Sequence, residues 1–272
     1  MKTTQRFVVA FATILVVLSS TGCNKLKARD HLNKGVQAFK NAKYEQAIDN
    51  FQQSVALDPT LINARLYLAT ALAQQYIPGA DTPDNNKFAD QAIEQYKIVL
   101  QSQPNNINSI KGIAYLYLQM KKFDSAKEFY KKASEADPND PEPYYSVAVI
   151  DWTQTYIPRQ EERAKLGMKP DDSLPAKDKK ICAEIKEKNT ANVQEGIDNL
   201  NKALQLRPDY DDAMAYMNLM YRERADIQCD DKDARAADLK SADEWVDKTM
   251  ATKKAKAEKQ PGAGGIVMDQ NK

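Results

Sequence analysis

The sequence predicts an all-α fold, a solenoid of about five helical hairpins. Two observations support this prediction. Only 9 of 272 residues are glycine, and the Val, Ile and Thr runs that β-strands favour are scarce after residue 24. Similar segments, each ending in proline, occur four times: SVALDP at 54–59, IVLQSQP at 98–104, KASEADP at 132–138 and KALQLRP at 202–208.

Two further positions recur upstream of each of these prolines. A small residue lies twelve positions before the proline, and a bulky apolar residue lies eight positions before it. A separation of four places both on one side of an α-helix. The small residue lets a second helix approach closely, and the bulky one fills the space beside it. The small residues are Ala47, Ala92, Ala126 and Gly196, and the bulky ones are Phe51, Tyr96, Tyr130 and Leu200.

This pattern resembles the tetratricopeptide repeat (TPR), a helical hairpin with a period of about 34 residues. Segment 107–140 has this length, with Ala114 and Tyr117 on its first helix, Phe123 at the turn and Pro138 at the end. Segment 28–61 matches as well. The resemblance covers about 28–250 and implies a right-handed superhelix whose first helices line an inner face.

The spacing between the prolines locates two insertions. Pro59 and Pro104 are 45 residues apart, Pro104 and Pro138 are 34 apart, and Pro138 and Pro208 are 70 apart. The residues in excess of the 34-residue period lie at 76–87 in repeat two and at 156–190 in repeat four, and both stretches begin with Tyr-Ile-Pro. Since proline disfavours helix continuation, each insertion is predicted to end a first helix and to lengthen the turn within its hairpin. Such turns share one edge of a solenoid, where insertions are either binding elements or neutral loop growth.

The remaining helices follow from periodicity. The second helix of repeat four is predicted at about 177–206, although a spacing of 70 also permits a degenerate extra repeat around 175–190. Repeat five is predicted to pair 211–226 with about 231–253. The solenoid domain is therefore placed at 28–253, with a disordered tail at 254–272.

The N-terminus has the features of a targeting segment. Lys2 and Arg6 precede an apolar run, Phe7–Leu18, that is too short to span a bilayer. The following SSTGC resembles the lipobox of bacterial lipoproteins, which implies a signal peptide at 1–22, a lipidated Cys23 and a tether at 23–27. An ordinary secretory signal is the alternative. Asn24 after the cysteine implies, by the same resemblance, an outer-membrane location facing the periplasm.

The sequence offers little for catalysis or cofactor binding. His31 is the single histidine, and the sequence supplies no pattern that would build a catalytic triad or a histidine-based metal site around it. Basic and acidic residues number 39 and 38, so no overall field attracts nucleic acid. The CDDKD stretch at 229–233 lacks the ligand spacing of a calcium loop. We therefore predict no enzyme activity, no metal and no cofactor.

Two cysteines besides Cys23 lie at corresponding places in neighbouring repeats. Cys182 is predicted near the start of the second helix of repeat four, and Cys229 in the turn of repeat five. An exported protein meets an oxidising compartment, so a disulfide between them is our hypothesis.

The resemblance also implies which residues face a partner. Inward positions of the repeat fall on a mixture of aromatic and polar residues, which suits an extended peptide or a partner helix. Packing inside the core is the alternative for Tyr115 and Trp152. The predicted groove residues are Asn108, Lys111, Tyr115, Leu118, Gln119, Tyr145, Trp152, Leu219 and Arg222.

The function predicted is a non-catalytic scaffold that is tethered to the cell envelope and binds another envelope protein. One alternative is an assembly factor for outer-membrane proteins or type IV pili, which the sequence does not separate from a general scaffold. An alternative of another class is an enzyme subunit that uses the repeat-four insertion as a lid.

Overall fold

The computed structural model describes residues 23–169 and 172–259. Every regular element in these ranges is an α-helix, so the predicted all-α class is confirmed. The chain divides into two compact units, the first ending at Lys132 and the second beginning at Ala133, within helix α6.

The first unit is built from hairpins in the predicted order. Its irregular connections are short, except for the one between α3 and α4. The helices are α1 over 23–40, α2 Tyr44–Leu57, α3 Ile62–Gln75, α4 Pro83–Ser102, α5 Ile107–Gln119 and α6 Phe123–Ala136, of which the last continues into the second unit.

The recurring small and bulky residues form the core of these hairpins. Ala47 and Ala92 have no exposed surface, and Phe51 and Tyr96 are almost wholly buried. Each ring packs against a helix backbone at a glycine of a first helix. A methyl group on Gly35 would lie 2.5 Å from the ring of Phe51, so this close approach requires glycine.

The repeat-two insertion is divided between a loop and a longer helix. Helix α3 ends at Gln75 as predicted, and 76–82 are irregular. Helix α4 then begins at Pro83 and has 20 residues, compared with 14 in α2. Asn85 fixes the loop, because its side chain accepts a hydrogen bond from the Ile77 N–H and donates to the Ile77 and Ala80 carbonyls. The insertion is therefore a defined structure anchored by one buried amide.

The second unit consists of longer helices. Gly196 and Leu200 of the repeat pattern lie in its core, together with Met217 and Met220. The helices after α6 are α7 Pro141–Lys165, α8 Leu174–Lys177, α9 Lys179–Leu206, α10 Asp211–Asp226 and α11 Lys232–Lys259.

The prediction that Tyr-Ile-Pro ends the first helix of repeat four is wrong. Helix α7 continues through Pro158 to Lys165, although an interior proline costs about 3 kcal/mol or more. Two tertiary contacts hold the helix on either side of the proline. The side-chain amide of Asn189 donates to the Thr155 carbonyl at 3.2 Å, and Arg159, one residue after the proline, is held by buried carboxylates of α10. Tertiary contacts thus override the local preference of proline.

Most of the repeat-four insertion is consequently helical. It comprises the end of α7, the short α8 and the start of α9. The predicted long second helix at about 177–206 is confirmed by α9, and its unbroken course leaves no separate repeat at 179–190.

The structure also bears on the ends of the predicted domain. Residues 23–27, predicted as a tether, are helical within α1, and α11 extends six residues past the boundary placed at 253. The predicted signal peptide at 1–22 and the tail at 260–272 lie outside the described residues. Among the helices described, none is long and apolar enough to cross a bilayer.

Candidate functional site

The predicted groove residues of the first unit all lie on α5. Tyr115 is 49% exposed, Asn108 is exposed, and Leu118 and Gln119 are half-buried. Lys111 is also half-buried, and it takes part in an interaction. Gln119 lines a cavity of about 400 Å³ beside the repeat-two loop. These side chains share an accessible helix face without forming a cluster of their own.

The predicted groove residues of the second unit lie on α7 and α10. Tyr145 and Trp152 are half-buried on α7, and Leu219 is half-buried on α10. Arg222 is exposed on α10, where it forms an ion pair with Asp243 of α11 at 2.8 Å. The two aromatic residues belong to a larger group.

Five aromatic side chains of the second unit touch one another, and we call them the aromatic cluster: Tyr145, Trp152, Tyr156, Tyr210 and Tyr216. The Tyr145 ring centroid lies 5.0 Å from that of Tyr210 and 5.5 Å from that of Tyr216. Trp152 stacks on Tyr156 at 4.6 Å and meets Tyr216 edge-on at 5.6 Å. Because all five are only half-buried, the cluster is both packed and accessible. Tyr and Trp with such partial exposure are typical of interface hot spots.

Burial changes the acidity of these phenols. It raises the pKa of Tyr210 to about 12, where nearby Arg207 opposes the shift and Asp212 adds to it. Burial likewise raises the pKa of Tyr145 and of Tyr216. The three hydroxyls therefore stay protonated at neutral pH and remain hydrogen-bond donors for a ligand.

A buried ion network follows the cluster along α7 and α10. Arg159 donates to both carboxylate oxygens of Glu223, at 2.8 and 2.7 Å, and to Asp226 at 2.6 Å. Arg163 reaches Asp226 at 3.4 Å and donates to the Lys169 carbonyl at 2.6 Å. Burial raises the pKa of Glu223, although Arg159 opposes this shift. Burial alone would lower the pKa of Arg159, but its hydrogen bonds and the charges of its partners outweigh this effect and raise it.

An arginine cavity of about 500 Å³ opens next to this network. Tyr156 of the aromatic cluster lines it, so the cluster and the cavity are continuous along α7. Arg222 and Arg235 line it from α10 and α11, together with Arg159 and Arg163. The Nε of Arg235 is buried and has no hydrogen-bond partner among the described residues.

Sequence reasoning missed several members of this site. Tyr156, Arg159 and Arg163 continue the helical face of Tyr145 and Trp152, at spacings of four, three and four residues. That periodicity is visible in the sequence, but the expected break at Pro158 concealed it. Arg235, on α11, gives no local signal because its position in the cavity depends on tertiary packing.

Cys182 and Cys229 are joined in the structure. Their Cα atoms are 5.7 Å apart, which is within the usual range for a disulfide, and the sulfur atoms are bonded. The bond connects the start of α9 to the turn between α10 and α11. Cys23 is exposed at the start of the described part of α1.

The side chains that could bind a metal are not grouped in the described residues. Within 23–169 and 172–259, no group of three or more His, Cys, Asp or Glu side chains is placed to hold a metal ion. The ring of His31 lies 3.2 Å from the side-chain oxygen of Asn50, a contact between α1 and α2.

Comparison with known proteins supports the repeat assignment. Residues 88–150 match the family described as tetratricopeptide repeat. The matched segment contains Ala92, Tyr96, Ala126 and Tyr130, four of the residues from which the pattern was recognised. A sequence comparison with curated proteins gave no match.

Solved structures of MamA share the fold. A crystal structure of MamA protein superposes with a TM-score of 0.58 at 11% identity, covering 88% of this chain and 98% of that chain. MamA 41-end from Desulfovibrio magneticus RS-1 gives 0.56 at 16% identity, covering 84% and 96%. Another MamA crystal structure gives 0.55 at 12% identity, covering 82% and 96%. These similarities show an α-solenoid fold.

Proposed function

We propose that the protein is a non-catalytic scaffold that binds another envelope protein, and that α7 and α10 of the second unit hold this partner. The aromatic cluster is the main observation in support. Its five rings are mutually packed yet half-exposed, and large rigid aromatic groups lose little conformational freedom when a partner binds.

The chemistry of this face suits a peptide or a helix better than a reaction. Phenol donors alternate with apolar ring surface along α7 and α10, and the neighbouring arginines offer charge. The helical packing of the repeat-four insertion supports a scaffold rather than a mobile lid.

A lipid anchor on Cys23 is part of the proposal. The lipobox-like SSTGC supports it, as does the exposed position of Cys23. Stable attachment to a membrane needs more than one acyl chain, which a diacylglyceryl group provides. We place the protein at the outer membrane, facing the periplasm. Labelling with a palmitate analogue tests this: label should enter the wild-type protein and be absent from Cys23→Ser, which should leave the membrane fraction. An unlabelled wild-type protein would refute the anchor.

Site-specific photo-crosslinking tests the scaffold. A photoreactive amino acid is placed in place of Tyr156, within the site, and separately in place of Lys188, which is exposed on α9. We expect one dominant protein adduct from position 156, lost when excess unlabelled protein competes, and none of that adduct from position 188. Equal adducts from both positions, or none from position 156, would exclude this face as the binding site.

A further inference from the structure

We propose that the partner presents an acidic side chain whose carboxylate is bound by Arg235 in the arginine cavity. This inference rests on the proposed function and specifies the chemistry of the partner. It assigns a role to a residue on α11, outside the helices that line the predicted groove.

The state of the Arg235 guanidinium is the first observation. Its Nε is buried without a hydrogen-bond partner, and Arg235 forms no ion pair among the described residues. Buried polar groups in proteins are almost always paired, because an unpaired donor keeps the full cost of its lost hydration. A planar fork of N–H donors matches the two oxygens of a carboxylate. Among the described residues no acidic side chain pairs with this guanidinium, and we assign that role to a carboxylate of the partner.

The local charge is the second observation. Arg235 also lines a second cavity, of about 650 Å³, together with Lys177, Lys179 and Lys232. Among the described residues lining this second cavity, Asp230 is the one carboxylate, and it pairs with Lys179 at 3.1 Å on the exposed surface. Among the described side chains that line the two cavities, positive charge is thus in excess, although the whole chain has a net charge of only +1 and Asp231 and Asp233 lie nearby in the sequence. Such an excess favours an anionic ligand.

The neighbouring arginines explain why Arg235 in particular is available. Arg159 and Arg163 are matched by Glu223 and Asp226 in the buried network, and Arg222 pairs with Asp243. Asp172 also lines the first cavity, where its carboxylate accepts from the Lys169 N–H at 2.7 Å. These groups are largely satisfied within the chain. Of the described lining residues, Arg235 is the cation that belongs to both cavities and has no ion pair.

Continuity with the aromatic cluster favours a protein segment over a free anion. Tyr156 both lines the arginine cavity and stacks on Trp152 at 4.6 Å. A segment lying along α7 would therefore pass from aromatic contacts to the arginines. The partner sequence expected is an acidic residue next to apolar or aromatic residues.

Fluorescence anisotropy with defined probes tests this inference. The probe is a labelled peptide, Gly-Glu-Leu-Glu-Tyr-Glu-Leu-Glu-Gly, and its matched control has glutamine in place of every glutamate. We expect the acidic peptide to bind at least about tenfold more tightly than the glutamine peptide. Arg235→Gln should lose about tenfold of that affinity. The matched variant Lys240→Gln, with the same charge change on an exposed position of α11, should lose less than about twofold.

Several outcomes would overturn the inference. These are no binding of the acidic peptide at millimolar concentration, equal binding of the two peptides, or unchanged binding to a folded Arg235→Gln variant. Displacement by inorganic phosphate or citrate at the same concentration as the unlabelled peptide would assign the cavity to small anions instead. If the photo-adduct at position 156 persists unchanged in Arg235→Gln, the scaffold stands and the acidic contact fails. If wild-type protein gives no adduct while the peptide still binds through Arg235, the opposite holds.

Discussion

The buried ion network provides the sharpest test of how the second unit is held together. Glu223 is 1% exposed and accepts two hydrogen bonds from Arg159, which is itself 8% exposed. The substitution Glu223→Gln keeps the shape but removes the charge, and it turns an N–H donor toward the guanidinium. Because Arg159 keeps its bond to Asp226, the loss should lie near the lower end of the range of about 3–5 kcal/mol for breaking a buried ion pair.

The same contacts hold α7 beyond its proline. Pro158 already destabilises the helix by about 3 kcal/mol or more. This is as large as the decrease in free energy of unfolding expected for Glu223→Gln. We therefore expect Glu223→Gln to unfold the end of α7 locally before the whole unit unfolds. Hydrogen–deuterium exchange should show lost protection at 159–165, and urea unfolding should show the reduced free energy of unfolding.

An exposed ion pair provides the control for this prediction. Asp243 pairs with Arg222, and both side chains are largely exposed, so Asp243→Asn should cost less than about 1 kcal/mol. A double variant, Arg159→Met with Glu223→Leu, should recover part of the stability because it removes both charges of the pair, while Asp226 keeps Arg163 at 3.4 Å. If the free energy of unfolding of Glu223→Gln lies within about 1 kcal/mol of the wild-type value and amide protection at 159–165 is kept, the network does not hold the helix.

Three other predictions concern the second unit. Replacing Cys182 and Cys229 with alanine should lower the free energy of unfolding by up to about 4 kcal/mol, because the disulfide closes a loop with a sequence separation of 47. Urea unfolding curves that coincide for the variant and the wild type would contradict this prediction. Spectrophotometric titration should find a tyrosine with a pKa of about 12 that is absent from the Tyr210→Phe variant. Because this pKa is raised in the folded state, its contribution to the free energy of unfolding is complete below pH 10 and is lost as the pH rises toward 12. The hydrogen bond from Lys256, at 2.5 Å, lowers the pKa of Asp211 from its ordinary value. Asp211→Asn should therefore have a slightly lower free energy of unfolding than the wild type at pH 7 and an equal one near pH 2. If the two free energies of unfolding still differ near pH 2, the charge of Asp211 is not the cause.

The repeat itself was predictable because its signal is local. Ala92 and Tyr96 are four residues apart, and the helical period alone places them on one buried face. The same periodicity predicted a helix at 211–226, which is the range that α10 occupies. The pairing of Cys182 with Cys229 followed from their equivalent places in neighbouring repeats, and the structure joins them.

The candidate site was predictable only in part. Tyr145 and Trp152 follow from repeat positions, but Tyr210 lies before α10 and outside the groove positions that were transferred. Its ring reaches Tyr145 because two repeats pack together. The arginine cavity required the same knowledge, since its lining side chains come from α7, α10 and α11.

Helical hairpins, their order and their buried small and bulky residues were determined by the sequence alone, because neighbours three or four positions apart along a helix decide which face is buried. Only the tertiary structure decided that α7 continues after Pro158 and where Arg235 lies. The helix persists because Arg159 meets Glu223, which lies 64 residues away in the chain. A local rule about proline contains no information about that contact, and packing between helices supplies it.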